Sequence, residues 1–346
     1  MWWWLELNDT ITLVDGVRVG HCHDSGRLTG VSVVVLDEGC VVGVDVRGGA
    51  PGTYDVAGFG LGALRDSVDA VFISGGSAFG LDVAGGVKKA LIEMGRGFEI
   101  PSGRLPLVAG GIIYDLGVAK GLPDSEMGYL ACRNAGSGPV EMGSVGAGIG
   151  ATVGKMLGLE YCMRGGLGSY AFRLPGGVVV GALVVVNCFG NVFDLETGRV
   201  LAGVRRRDGK GFVEVHDVIG MLSGAGGFGI VSLNTTVGVV ATNVRLNRSE
   251  VARVAVMSHD GLARAIRPVH TFLDGDVMFA VSTGKVDLPE IPGLGGEKSP
   301  FKRLDGRSYL VSLIGEVAAE AVRRSVLRAV LKAKSIKGIP SASDYP

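Results

Sequence analysis

The chain has 346 residues, 47% of them hydrophobic, and its 34 Lys and Arg residues are balanced by 34 Asp and Glu residues. This length and apolar content suffice for a large core, and the charge balance excludes both a basic surface for nucleic acid and the acidic surplus of a disordered chain. Glycine reaches 59 residues without a repeat, so it predicts many tight turns rather than a collagen-like or low-complexity protein.

The cysteines and the apolar runs indicate the cellular compartment and the kinds of partner to expect. The five cysteines are widely spaced and form no C-x-x-C pair, which argues against a disulfide framework or a zinc site. The first residues lack the pattern of a signal peptide, and no apolar run reaches membrane-spanning length. We therefore expect a cytoplasmic protein with no metal, no cofactor, no nucleic-acid partner and no membrane partner.

The first part of the chain predicts β-structure. Apolar runs at 11–14, 17–21, 29–36 and 40–46 have the composition of strands, and the turn at 37–39 predicts that the last two form a hairpin. The loop that follows is stiff and rich in glycine. It begins with an arginine, Arg47, that is a candidate either for binding a ligand carboxylate or for pairing with a neighbouring aspartate.

A second buried strand is predicted at 68–73. It runs into the glycine-rich turn 74–80 and then into a helix that continues through Met94. Such a turn can present backbone N–H groups to an anion, but the dinucleotide-binding spacing is absent, so a tight turn is favoured over a phosphate site. A further strand at 106–116 ends in a Tyr-Asp pair.

The run 143–155 superficially suggests a Walker loop. It is not one, because Ile149 stands where that motif requires Gly and Met156 stands where it requires Ser or Thr. The next apolar strand, 181–190, carries Asn187 near its end. An asparagine at this place forms either a turn or a donor to an oxyanion, and the residues alone favour the turn.

The central stretch of the sequence is Asn234-Thr235-Thr236, which opens an apolar strand after the glycine-rich segment 223–229. A threonine hydroxyl acts as a nucleophile only if a base takes its proton, and no His, Cys or Lys follows within ten residues. Cleavage between Asn234 and Thr235 would supply one, because a free α-amine has a pKa of about 7.7–8 and can activate threonine. The alternative is that the threonines simply open a strand.

The remainder of the chain predicts two helices. Residues 247–250 have the spacing of a capping box, and the apolar face that follows predicts a helix ending before Pro268. The histidines near its end, His259 and His270, are expected to be structural. The last helix is predicted at 316–334.

Between these helices, Asp274-Gly275-Asp276 leads into an apolar strand at 277–282. Two carboxylates at a strand entry are able to orient a neighbouring amine or hydroxyl. The same tripeptide is also an ordinary turn, so the residues alone leave both interpretations open.

Together these stretches resemble the DmpA-type, P1-like aminopeptidases (L-aminopeptidase/D-esterase, peptidase family S58), which include β-peptidyl aminopeptidases and nylon-oligomer hydrolases. The resemblance extends from about Asp15 to Gly284 and into the last helix. Its specific parts occur in the family's order: Asp45–Thr53, Ser74–Asp82, Gly143–Lys155, Val184–Asn187, Asn234–Thr236 and Asp274–Asp276.

The resemblance implies an α+β fold, a four-layer αββα sandwich shared in outline with the ornithine acetyltransferases. It also implies one domain, 1–346, that cleaves itself between Asn234 and Thr235 into chains 1–234 and 235–346. Thr235 would then be the N-terminal nucleophile, with its own α-amine as base. The other site residues that the resemblance implies are Asn187 for the oxyanion, Tyr114 as an active-site tyrosine, and Lys155, Asp274 and Asp276 as polar groups around the nucleophile.

The implied function is an aminopeptidase or amidase-esterase that releases N-terminal residues from small peptides, amides or esters, as a homo-oligomer. Two alternatives are an acyltransferase of the same fold and an uncleaved metabolite-binding protein. The sequence departs from the family pattern at Ile149, where relatives usually have a small polar residue, and in the apolar flanks of the Asp pair, Leu273, Val277 and Met278. These changes would reshape the substrate pocket, so the accepted side chain and stereochemistry are left open.

Overall fold

The computed structural model describes residues 8–222, 234–288, 306–336 and 338–345. The predicted glycine-rich segment at 223–229 lies outside the described residues. Strands within them are β1 (Val17–Asp24), β2 (Thr29–Leu36), β3 (Val41–Val46), β4 (Thr53–Tyr54), β5 (Ala70–Ser74), β6 (Phe98–Ile100), β7 (Gly103–Leu105), β8 (Val108–Ile112), β9 (Thr152–Val153), β10 (Met163–Arg164), β11 (Gly166–Arg173), β12 (Val179–Asn187), β13 (Asn191–Phe193), β14 (Val200–Ala202), β15 (Thr235–Val244), β16 (Ile266–Arg267) and β17 (Val277–Val286).

The α-helices of the described ranges lie outside the sheets. They are α1 (Val83–Glu93), α2 (Ser125–Arg133), α3 (Val215–Leu222), α4 (Arg248–Ala263) and α5 (Gly306–Leu331). The predicted capping box is present at the start of α4, where Asn247 and Glu250 bond reciprocally to each other's backbone N–H. No helix in the described part of the chain is long and apolar enough to cross a membrane.

Two five-stranded sheets form the centre of the molecule. Their strand orders are β1-β2-β5-β8-β4 and β11-β12-β15-β17-β3. Within them β5 pairs with β8, and β15 with β17, in parallel, and the other pairs are antiparallel. The sheets pack face to face through fully buried apolar side chains that include Leu36, Ile73, Leu183, Val239 and Phe279.

Helices cover the outer face of each sheet. On the first sheet, α1 and α2 pack against Val33 and Phe72. On the second, α4 and α5 pack against Val184 and Ala280. The order of layers is therefore helix, sheet, sheet, helix, which confirms the predicted αββα sandwich. Because both faces of each sheet are covered, β12 and β15 are buried along their entire lengths, and this explains their unbroken apolar sequences.

The predicted β2–β3 hairpin is wrong. The two strands are consecutive in the chain, but β2 lies in the first sheet and β3 lies at the edge of the second, beside β17. Both edges of β2 are already occupied, by β1 and β5, so no hydrogen-bonding edge is left for β3. Val34 and Val42 nevertheless face the same core, which is why their apolar patterns suggested a pair.

Beyond shifts of a few residues at other strand ends, two stretches differ clearly from the sequence prediction. Residues Ile11–Leu13 form a 3₁₀ turn rather than a strand, with Ile11 buried between the sheets. The last helix begins at Gly306, ten residues before the predicted start at 316. Its first residues, Gly306 to Ser308, lack apolar side chains, and the buried residues Val311 and Ile314 pack on the core of the second sheet.

Candidate active site

The ends of three neighbouring strands meet at Thr235. Thr235 is the first residue of β15 and is only 2% exposed. Directly opposite it in the antiparallel register lies Asn187, the last residue of β12. On its other side the chain enters the parallel strand β17 through Asp274-Gly275-Asp276, and Asn234 forms an isolated parallel bridge with Asp274. The structure thus brings together three motifs that are far apart in sequence.

The peptide bond between Asn234 and Thr235 is held on both sides. The Asn234 N–H donates to the Leu273 carbonyl at 2.8 Å, and the Asn234 carbonyl accepts from the Gly275 N–H at 2.9 Å. The Thr235 hydroxyl donates to the same Asn234 carbonyl. The Gly275 N–H therefore donates to the oxygen that would carry negative charge if the Thr235 hydroxyl attacked this carbonyl.

Only glycine fits at position 275. A Cβ there would lie 2.6 Å from the Ala50 carbonyl oxygen and 2.9 Å from Thr235 Oγ1. The close approach lets the Gly275 N–H reach the Asn234 oxygen.

The glycine-rich loop after β3 supports this turn through its backbone. The Ala50 N–H donates to the Asp274 carbonyl at 2.9 Å, and the Arg47 N–H donates to the Asp276 carbonyl at 3.0 Å. A Cβ at Gly48 would lie 2.2 Å from the Asp276 nitrogen. The loop is thus a backbone support for the Asp-Gly-Asp turn. Of the two roles considered for the Arg47 side chain, pairing with a neighbouring aspartate is the one observed, since its Nε lies 2.8 Å from Asp45 Oδ2.

Asn187 is fixed in one orientation by its neighbours. Its Oδ1 accepts from Lys155 Nζ at 2.9 Å and from the Thr152 N–H at 3.0 Å, and its Nδ2 donates to the Tyr114 carbonyl at 2.9 Å. The contact of Tyr114 with this cluster is therefore made by its main chain. Since both acceptor contacts fall on Oδ1, the amide nitrogen is directed away from Lys155.

Lys155 is fully enclosed, with 1% of its surface exposed. Its Nζ donates to Asn187 twice, to the side chain and to the main-chain oxygen at 3.0 Å. Burial lowers the pKa of Lys155 to about 8, against the opposing effect of nearby groups that include Asp274. The amine therefore titrates close to neutral pH, in direct contact with the proposed oxyanion residue.

Asp274 is held by the loops that flank it. Its Oδ1 accepts from the Phe189 N–H at 3.2 Å, and its Oδ2 accepts from the N–H and the hydroxyl of Thr271. Burial, and then the neighbouring carboxylate of Asp276, raise the pKa of Asp274 to about 6. Asp274 therefore takes up a proton under mildly acidic conditions.

Asp276 binds the backbone immediately after the candidate nucleophile. Its Oδ1 accepts from the Thr236 N–H at 2.7 Å. Its Oδ2 accepts from the His270 N–H at 3.1 Å and lies 2.8 Å from His270 Nδ1. The carboxylate links His270 to the Thr235-Thr236 segment and fixes the entry of β15.

Two residues of this region were missed by reasoning from the sequence. His270 was expected to be only structural, yet it contacts Asp276. The signal available in the sequence was its position six residues before that aspartate.

The second residue is Asp115, which is 2% exposed and accepts from the Gly76 N–H at 2.7 Å. The Asp115 carboxyl thus already accepts from a backbone N–H of the 74–80 turn. This supports a tight turn over a phosphate site at these residues. Burial raises the pKa of Asp115 to about 6.

Comparison with known proteins places this arrangement in a family. The pattern of peptidase family S58 matches residues 9–343. The chain belongs to peptidase family S58. Among the relatives of this S58 peptidase is a protein of Mycobacterium tuberculosis named as an uncharacterized aminopeptidase. It is 39% identical over 350 residues, which span 97% of each chain.

A second relative of this S58 peptidase is named 6-aminohexanoate-oligomer endohydrolase and comes from Paenarthrobacter ureafaciens. It is 33% identical over 326 residues, which cover 91% of this chain and 84% of the relative. The family and these relatives identify the chain as a hydrolase of the peptidase and amidase type.

Solved structures share the fold of this S58 peptidase. A β-aminopeptidase of Burkholderia sp. superposes with a TM-score of 0.64 at 24% identity, over 98% of this chain and 90% of the other. The L-aminopeptidase D-Ala-esterase/amidase of Ochrobactrum anthropi, described as a variant of the Ntn-hydrolase fold, superposes with a TM-score of 0.63 at 20% identity, over 94% and 86% of the two chains.

Proposed function

We propose that this S58 peptidase is a self-processing N-terminal-nucleophile hydrolase, in which Thr235 acts first on its own chain and then on substrate. The observation that carries the proposal is the convergence on one carbonyl. The Thr235 hydroxyl and the Gly275 N–H both donate to the oxygen of Asn234, the residue that precedes the nucleophile. Contact of this hydroxyl with the peptide bond on its own N-terminal side supports an acyl shift as the first reaction.

In the first reaction Thr235 Oγ1 attacks the carbonyl carbon of Asn234. The negative charge that develops on the carbonyl oxygen is stabilised by the Gly275 N–H at 2.9 Å. The C–N bond then breaks, the Thr235 nitrogen takes up the proton that Oγ1 gave up in the attack, and an ester joins the Asn234 acyl group to Oγ1. Water hydrolyses this ester and yields chains 1–234 and 235–346, the second with a free α-amine.

In the mature enzyme the α-amine of Thr235 accepts the hydroxyl proton as Oγ1 attacks the substrate carbonyl. Asn187 lies across the strand pair, and one N–H of its amide bonds to the Tyr114 carbonyl. The second N–H is the proposed donor to the oxyanion, and loss of such a donor costs roughly 100-fold to 1,000-fold in kcat.

Two neighbours keep this geometry. Lys155 holds the oxygen end of the Asn187 amide, and Asp276 holds the Thr236 N–H beside the nucleophile.

The reaction of the mature enzyme ends in two steps. The leaving amine departs with the proton that the α-amine of Thr235 had accepted, and water then releases the acyl group from Thr235.

The proposed substrates are small peptides, amides or esters, from which an N-terminal residue is released. The names of the relatives, an aminopeptidase and an oligomer endohydrolase acting on amide bonds, support this class. The buried position of Thr235, which is 2% exposed, favours small substrates. Cytoplasmic location and homo-oligomerisation stay predictions.

The intact mass of the purified protein tests the proposal. Wild type is expected to give two chains that meet between Asn234 and Thr235, and Thr235→Ala is expected to give one chain. Thr235→Ser is the matched control, because it keeps a hydroxyl and should still be processed. Release of p-nitroaniline from aminoacyl p-nitroanilides should appear only in the processed proteins. A single chain in wild type under all conditions would refute the mechanism.

A further inference from the structure

A second site of unusual chemistry surrounds Arg164, the last residue of β10. Arg164 has 0% of its surface exposed and is the largest of the fully buried side chains in the described residues. Its Nη2 donates to the Ile149 carbonyl and lies 3.5 Å from Ser144 Oγ. Its Nε and Nη1 are buried and find no hydrogen-bond partner within the described ranges.

A fully buried guanidinium with unpaired N–H groups lowers the stability of the folded protein. No carboxylate of the described chain forms an ion pair with Arg164. Burial lowers the pKa of its guanidinium to about 10, which reflects the cost of holding the charge away from water. A buried guanidinium with two unpaired N–H groups, on Nε and Nη1, is complementary to an oxyanion, to which each of them can donate a charge-assisted hydrogen bond.

Arg164 lines a cavity of about 280 Å³. The cavity lies between the end of β1, the segment that precedes β9, and the residues after α5. Thr235, Asn187 and Asp274 do not line it, so it is separate from the candidate active site. Its volume suffices for an amino-acid-sized molecule and is far larger than the share of about 30 Å³ that one water molecule occupies in the liquid.

The lining combines a cationic end with apolar walls. Arg164 and Lys334 are positive and Glu141 is negative, so the charged side chains sum to a single positive charge. This favours a singly charged carboxylate over a doubly charged phosphate. Leu28, Val145 and Ile149 supply apolar surface for the body of the ligand.

His23 adds a ring nitrogen to this lining. Its Nδ1 accepts from the Gly146 N–H at 3.3 Å, so the ring hydrogen is on Nε2. The site therefore contains a guanidinium, an imidazole N–H donor and an apolar wall.

We propose that this cavity binds a small monocarboxylate with an apolar body, held by Arg164. Free amino acids, short peptides and short acyl chains all present this chemistry. The site is connected to the catalytic region by one strand pair, because Arg164 pairs with Thr152, whose N–H donates to Asn187 Oδ1. The proposal concerns binding and stands without the chemistry of Thr235.

Calorimetric titration of the full-length protein with pentanoate at constant ionic strength tests the head group. Pentanoate is expected to bind saturably, and pentanamide, which has nearly the same shape without the charge, at least ~10-fold more weakly. Inorganic phosphate is the second probe and is expected to bind more weakly than pentanoate. Tighter binding of phosphate, or equal binding of pentanoate and pentanamide, would overturn the proposal.

Variants test the location. Arg164→Gln is expected to weaken pentanoate binding at least ~10-fold, because the charge-assisted hydrogen bonding of the guanidinium is lost. Arg173→Gln is the matched control, since Arg173 is exposed and outside the cavity, and it should bind as wild type. Lys334→Glu reverses an exposed lining charge, so it should fold normally and weaken pentanoate several-fold. Wild-type affinity in either Arg164→Gln or Lys334→Glu would contradict the assignment.

The Thr235→Ala variant separates this site from the catalytic site. Its affinity for pentanoate is expected to equal that of wild type. Loss of binding in Thr235→Ala together with wild-type binding in Arg164→Gln would place pentanoate at the nucleophile and end the proposal. Failure of the proposed function would appear as unchanged processing in Thr235→Ala. Failure of this site would appear as unchanged pentanoate affinity in Arg164→Gln, so the two failures are distinguishable.

Discussion

Thr235 and Asn187 lie directly opposite each other at the ends of two antiparallel strands, β15 and β12. They are separated by a long stretch of chain, and the ladder between the strands fixes their relative position. Every residue pair from Val180 with Thr242 to Asn187 with Thr235 is in register, so a slip by one residue would turn the two side chains to opposite faces. The alignment of the proposed nucleophile and oxyanion donor is therefore a property of the sheet core.

The first prediction concerns Gly275. Gly275→Ala is expected to slow self-processing by about 100-fold or more, because the added Cβ would lie 2.9 Å from Thr235 Oγ1 and displace the N–H that donates to Asn234. The conversion of the single chain into two is measured by mass spectrometry over time. Gly138→Ala is the control, since nothing lies within 4 Å of its added Cβ. Equal processing rates in the two variants would exclude Gly275 from the reaction.

The second prediction concerns Lys155. Lys155→Met retains the bulk of the buried chain but removes two hydrogen bonds to Asn187. We expect kcat on a p-nitroanilide to fall about 10-fold to 100-fold with little change in KM, because the oxyanion donor is misplaced rather than the substrate site. Lys285→Met changes an exposed lysine and should leave both constants unaltered. A rise in KM alone would instead assign Lys155 to substrate binding.

The third prediction concerns His270, which has a left-handed backbone with φ of +57°. His270→Gly accommodates this backbone and removes the ring that contacts Asp276. It is expected to slow processing about 10-fold, because the carboxylate that holds the Thr236 N–H loses a neighbour. His270→Asn offers a side-chain donor at a similar place and tolerates the same backbone, so it should restore most of the rate.

Exposed His216 provides the comparison for this series, and His216→Ala should process at the wild-type rate. If His270→Asn were as slow as His270→Gly, the contribution of His270 would not be its hydrogen bond to Asp276.

The fourth prediction concerns stability and Asp115, whose pKa burial raises from 3.8 to about 6. The folded protein favours the protonated carboxyl, so this contribution to stability is fully present below pH 3.8 and is lost as the pH rises through about 6. Asp115→Asn mimics the neutral form and keeps an acceptor for the Gly76 N–H. We expect it to raise the free energy of unfolding at pH 7.5 by roughly 1–3 kcal/mol, and by progressively less toward pH 4.

Urea unfolding at several pH values measures this difference. The protein with Asp115 and the Asp115→Asn variant both also carry Thr235→Ala, so that a single unprocessed chain unfolds in each case. A constant difference across the pH range would show that the carboxyl does not titrate as burial requires. A lower stability of Asp115→Asn at every pH would mean that its contacts outweigh the cost of its charge.

The sequence determined the class of the protein and supplied the candidate site residues. The apolar runs of β12 and β15 are buried on both faces, and the capping box forms at α4, because these features depend on residues that are near in sequence. The six motifs were recognisable in order, and the family they indicated is confirmed by the match over residues 9–343.

Only the tertiary structure decided which strands pair and what the site residues touch. The apolar pattern of β3 is the same for a hairpin with β2 as for an edge position beside β17, and the choice depended on which edges other strands had already occupied. The contacts of His270 with Asp276 and of Gly275 with Asn234 likewise depend on loops that the parallel pairing of β15 and β17 brings together. Composition and spacing specify which side chains are available, whereas distances across the chain follow from packing.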